Sequence, residues 1–212
     1  MTVKHSKDGF TLIELMFAMV FVAFIMIFIV TSIIQTMRIY NKGLAIRDIN
    51  QSGRQLSEDM TRTLRYASAT QVSLNGYNAA AQRICANGVS YVWNLEGAAG
   101  LNQINNYSDG DATTPIRFIR VDDRSGTLCS NPTLAVPKAN SRDLLSSQLT
   151  VERLKFDSSE AGRIVTIDAL ISTDGENIPK PGVTPSGFEC PDGSEGAFCA
   201  FGEFQTTVYI RN

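Results

Sequence analysis

With 212 residues the chain has room for one long helix and one globular domain, and a domain of roughly 140 residues buries about 65–70% of its unfolded surface. Charge is balanced, 19 Lys+Arg against 21 Asp+Glu, so no strong field argues for nucleic acid or an acidic substrate. The only histidine, His5, lies ahead of a long apolar run, so a chain cut between the two has no imidazole; that excludes Ser-His-Asp and Cys-His nucleophiles and His-ligated metals. The chain is therefore not expected to be an enzyme, and no cofactor is expected.

Residues 1–9 carry Lys4 and Lys7 against Asp8 and no apolar block, which reads as a cytoplasmic leader. By the positive-inside rule the N-terminus stays inside and the distal domain lies outside. Residues 10–34 form an apolar run that as a helix extends ~38 Å, against a hydrocarbon thickness of ~30 Å. The run is longer than the apolar block of a secretory signal and has no A-x-A-like end. Thr31 and Ser32 can bond back to helix carbonyls and need not interrupt it. Glu14 is the anomaly, because a carboxylate at the edge of a span needs a partner. Lipid headgroups can solvate it at the interfacial end of an anchor. Alternatively, a cut after Gly9 gives Phe10 a free α-amino group. A neighbouring subunit could bring that amine to Glu14, which neutralises both charges in lipid and sets the axial stagger between subunits.

The string Gly9-Phe10-Thr11-Leu12-Ile13-Glu14, behind a short basic leader and ahead of the apolar run 15–34, resembles the class III signal of type IV pilins and pseudopilins. The resemblance covers about the first 30 residues. It implies cleavage between Gly9 and Phe10 by the membrane prepilin peptidase, N-methylation of Phe10, and pairing of Glu14 with a neighbour's Phe10 terminus during assembly. The implied partners are that peptidase, other pilins or pseudopilins, the inner-membrane assembly platform and, before assembly, membrane lipid. One departure is visible: no Pro or Gly stands within 10–34, where many major pilins carry a helix breaker.

Beyond the span, Ile39, Ile46, Ile49, Leu56, Met60 and Leu64 recur at helical spacing among charged residues, which predicts an amphipathic helix over 35–66. Gly43 and Gly53 are its expected bend points. From 67 to 212 the composition turns to β-branched residues, Gly, Asn and Ser, and strands are expected at 71–74, 89–95, 116–122, 149–157, 163–172 and 205–211. Residues 158–162 read as the turn of a hairpin. Loops are expected at 96–114, 124–141 and 174–203; the last holds four of the seven prolines. The expected fold is α+β: a long N-terminal helix, transmembrane in its first half and amphipathic in its second, packed on a mainly antiparallel sheet domain with long loops.

Four cysteines with no CxxC pair, behind an export segment, suggest disulfides in an oxidising compartment. Three connectivities exist; the short Gly-containing interval favours Cys190 with Cys199, leaving Cys85 with Cys129. Asp109, Asp111, Asp122 and Asp123 could offer oxygens to calcium but lack EF-hand spacing, so solvated turns are the simpler reading. Arg117, Arg120 and Arg124 read as strand-face charges, and no specific nucleic acid is expected as partner. Tyr91 and Trp93 read as strand packing.

Together with the resemblance, these features lead to the expectation of a minor type IV pilin. It would be a single-pass inner-membrane protein, N-terminus inside, that joins a filament at the cell surface or in the periplasm. The alternatives are a minor pseudopilin of type II secretion, a filament-borne adhesin or DNA-binding module using loop 174–203, and an unprocessed membrane-anchored receptor.

Overall fold

The structure is a computed structural model and describes residues 10–67, 73–78, 81–96, 101–110, 114–159, 164–173, 180–181, 188–190 and 199–210. The chain divides into two compact units, Met1–Asn41 and Lys42–Asn212. Helix α1 (Leu12–Tyr66) contributes its first part to one unit and its second to the other.

In the first unit α1 is long and apolar enough to cross a membrane, and none of that stretch is buried. The Thr31 hydroxyl donates to the carbonyls of Ile27 and Phe28, and Ser32 to that of Phe28, so both polar side chains are satisfied within the helix.

In the second unit the rest of α1 buries Ile49, Gly53, Leu56, Met60, Thr63 and Leu64. Ala45 is the first helix residue packed against the domain core and Ile49 the first fully buried, while Ile39 and Ile46 of the sequence stripe are 74% and 44% exposed. Helical geometry continues through Gly43 and Gly53. Gly53 serves contact: a Cβ there would stand 2.2 Å from the Phe204 ring, so glycine leaves the room in which that ring packs on the helix.

Two antiparallel sheets pack with this helix segment in an α+β arrangement. The first has five strands in sequential order: β1 (Ser73–Asn78), β2 (Arg83–Ala86), β3 (Val89–Trp93), β4 (Phe118–Asp122) and β5 (Ser141–Asp143). The second has the order β10-β7-β6, from β6 (Leu149–Ser159), β7 (Ile164–Thr173) and β10 (Phe201–Tyr209). A parallel bridge from Leu95 to Val151 joins the two. Two-residue strands β8 (Lys180–Pro181) and β9 (Phe188–Glu189) pair within the expected loop 174–203. A short helix, α2 (Thr127–Ser130), and a 3-10 turn (Lys138–Asn140) lie within the expected loop 124–141.

β6 and β7 form the expected hairpin, while its turn, 160–163, lies outside the described residues. β10 begins at Phe201, four residues ahead of the expected strand. β2 was not among the expected strands, yet its signal is local: Asn87 and Gly88 both have positive φ, 52° and 74°, and Ala86 pairs with Val89 across them. Asn-Gly is the preferred pair for a two-residue hairpin turn that needs two positive φ angles.

β3 and β4 are buried on both faces. Tyr91, Trp93 and Phe118 join the core shared with α1 and the second sheet, and Trp93 stacks on Phe118 with centroids 5.8 Å apart. Val92, Ile119 and Val121 point to the other face, into a smaller core closed by Tyr107, Leu128 and Val136. The loops expected at 96–114 and 124–141 therefore act as the cover of a second hydrophobic layer.

Candidate functional site

The N-terminal site begins at Phe10, which is 86% exposed; Gly9 lies outside the described residues. Thr11 stands just before α1 and Glu14 three residues on. The Glu14 carboxylate accepts from the Thr11 backbone N–H at 2.9 Å and from its hydroxyl at 2.8 Å, while the Glu14 N–H donates to the Thr11 hydroxyl oxygen at 3.4 Å. This is a capping box, the T-x-x-E form of reciprocal satisfaction at a helix start. It was legible in Thr11-Leu12-Ile13-Glu14 and supplies Glu14 with a partner inside its own chain. The capping bonds also turn the carboxylate back toward the start of the helix, beside the peptide bond that follows Phe10.

In the distal unit, disulfides join Cys85 to Cys129 and Cys190 to Cys199, and among the described residues there is no free cysteine. The first ties α2 to β2 and has two companions. Asp123, only 7% exposed, accepts five hydrogen bonds: from Ser90, from the Ser125 and Thr127 hydroxyls, and from the backbone N–H groups of Thr127 and Leu128, at 2.9–3.1 Å. Burial alone would raise its pKa, but the donors of Leu128, Ser90, Thr127 and Ser125 outweigh it and the net shift is downward. Arg83, 2% exposed, donates to Asn105 Oδ1 at 2.7 Å and to the carbonyls of Leu128, Asn131 and Leu134 at 3.1, 3.3 and 2.7 Å. Burial lowers its pKa. The segment 123–134 is thus held by a carboxylate, a guanidinium and a disulfide at once.

The other residues singled out in the sequence fall as follows. Asp109 faces Lys138 at 3.7 Å, Asp111 lies outside the described residues, and Asp122 is exposed. The described residues include no group of three or more His, Cys, Asp or Glu that could hold a metal ion. Arg120 is not a free strand-face charge, because its Nη1 reaches Asp59 Oδ1 on α1 at 2.9 Å. Tyr91, its cross-strand partner, donates to Asp59 Oδ2 at 2.7 Å and lies 2.7 Å from the Thr63 hydroxyl. Burial pushes the Tyr91 hydroxyl pKa up, so it stays a donor. Arg120, Tyr91, Asp59 and Thr63 together dock the helix on the first sheet.

Comparison with protein-family models, with curated proteins and with solved structures finds no match for this chain.

Proposed function

We propose that this chain is a minor type IV pilin. The observation that carries the reading is the surface of α1: residues 10–31 are all exposed and nearly all apolar. A surface of that size is stable only against lipid or against other helices. The Gly9-Phe10-Thr11-Leu12-Ile13-Glu14 string at its start supports the second as the end state and the first as the state before assembly. On this reading the prepilin peptidase cuts between Gly9 and Phe10, Phe10 is N-methylated, and the helix moves from membrane to filament. The size of the distal unit and its two disulfides support a minor subunit over a compact major one.

Glu14 then has two roles in sequence. In the single subunit it caps its own helix through Thr11, which lowers the cost of holding the carboxylate at the membrane edge. In the filament it faces a neighbour's Phe10 amine. N-terminal mass spectrometry of the protein from its native envelope is expected to find a chain that starts at methylated Phe10; an intact Met1 terminus rejects the proposal. Glu14→Val is expected to leave processing intact and abolish filament incorporation. Thr11→Val, which removes only the capping hydroxyl, is expected to be incorporated, and equal incorporation of both variants removes the pairing role.

A further inference from the structure

β10 is the outer strand of its sheet. β7 pairs with it through nine consecutive residues without a bulge, and among the described residues no strand pairs with its other edge. An unpaired edge is a template for another strand, and proteins usually blunt one with charged side chains, Pro, a bulge, short length or a covering helix or loop. β10 runs Phe-Gly-Glu-Phe-Gln-Thr-Thr-Val-Tyr, nine residues with no Pro and no bulge, in which Glu203 is the one charged side chain.

α1 lies over the same strand. Gly202 faces Ile49, Phe204 faces Gly53, and Thr206 lines a concavity of about 450 Å³ with α1 residues that include Glu58, Arg62 and Arg65. Thr206 is the β10 residue that lines it, and no β7 residue does. Arg62 and Arg65 are exposed and form no ion pair among the described residues, which leaves the groove with one excess positive charge over Glu58. The two observations are independent: one concerns backbone groups, the other side-chain charge.

We propose that the free edge of β10, together with Arg62 and Arg65, is a docking site for an extended acidic segment of a partner protein. The segment adds to the sheet as a fourth strand. Its backbone pairs with β10, and its alternate side chains point toward α1, where carboxylates meet the two guanidinium groups. Ile49 against Gly202 and Gly53 against Phe204 set β10 running in the same direction as the second part of α1.

Binding is measured on the purified full chain in zwitterionic detergent, by fluorescence anisotropy, and does not depend on processing at Gly9. The probe is a peptide matched to the nine residues of β10, alternating valine and glutamate. The glutamate peptide is expected to bind at least about tenfold more tightly than its lysine counterpart, and R62E/R65E to reverse that order, since like charges across an interface repel. N-methylation of alternate amides is expected to abolish binding in one of the two alternations and spare it in the other, because only one set of N–H groups faces β10. Equal binding of the two peptides overturns the proposal. So does indifference to both alternations of N-methylation, or full competition by inorganic phosphate with that indifference, which leaves an anion site without strand addition. A peptide-free dimer broken by R62E/R65E also overturns it, by assigning the edge to a second copy.

Discussion

Arg83 carries a full charge into the interior with four neutral acceptors around it, three of them carbonyls of residues 128–134. A buried acceptor stripped of its donor costs about 1–3 kcal/mol. Arg83→Met, which keeps length and removes every donor, is therefore expected to destabilise the fold by roughly 3 kcal/mol or more, measured as a lower urea midpoint at unchanged slope. Glu152 is the opposite case. It is 8% exposed and bonded by the Ser172 hydroxyl at 2.6 Å, and burial raises its pKa despite that bond. A raised carboxyl pKa means that the unfolded chain, near ~4.3, ionises first as pH rises. Glu152 therefore costs stability above its folded pKa, and the cost fades as pH falls from that value to ~4.3. Glu152→Gln is expected to raise the melting temperature at neutral pH and to lose that advantage near pH ~4; a pH-independent difference would remove ionisation as the cause. The lowered pKa of Asp123 acts with the reverse sign, giving stability above ~3.9 that is lost as pH falls through the folded value. Arg83 and Glu152 were not readable as buried and charged from local pattern, because their partners lie 20 to 51 residues away, whereas four of the five hydrogen bonds to Asp123 come from within five residues.

At the level of the element, α1 was legible because its signals repeat every turn: the apolar run and the 49-56-60-64 stripe both act within a few residues, whereas the equally local capping box of Thr11 and Glu14 was not among the expectations. What the pattern did not distinguish was the purpose of its two glycines. Gly43 has nothing within 4 Å of where a Cβ would stand, so Gly43→Ala is expected to stabilise by up to ~1 kcal/mol through helix propensity. At Gly53 the same change meets the Phe204 ring and is expected to cost about 1–3 kcal/mol. Combining it with Phe204→Leu tests the contact, since the double variant should be more stable than the sum of the two single effects; additivity would refute it. β3 and β4 were found as strands but not as double-sided ones. A strand buried on both faces replaces apolar-polar alternation with aromatic on one side and aliphatic on the other, as Tyr91-Val92-Trp93 does.

Over the whole molecule, the two disulfides divide the work unequally. Cys85 and Cys129 are separated by 44 residues and Cys190 and Cys199 by 9, which the chain-entropy relation converts to about 4 and about 2.5 kcal/mol. Replacing Cys85 and Cys129 by Ser is expected to lower the denaturation midpoint more than replacing the other pair, and the reverse order would mean that the long loop is already ordered in the unfolded chain. The sequence by itself determined the N-terminal apolar helix, the α+β composition, and the interval that favours Cys190 with Cys199, because hydropathy, residue propensity and short loop closure are all local quantities. The tertiary structure alone decided that Arg120 and Tyr91 meet Asp59, that Arg83 and Asp123 fasten one loop, and that β10 ends its sheet among the described residues, with Thr206 in one concavity with Arg62 and Arg65. Each of these depends on strand order and cross-strand register, and the packing of a distant segment sets those, as in the 61-residue separation of Asp59 and Arg120.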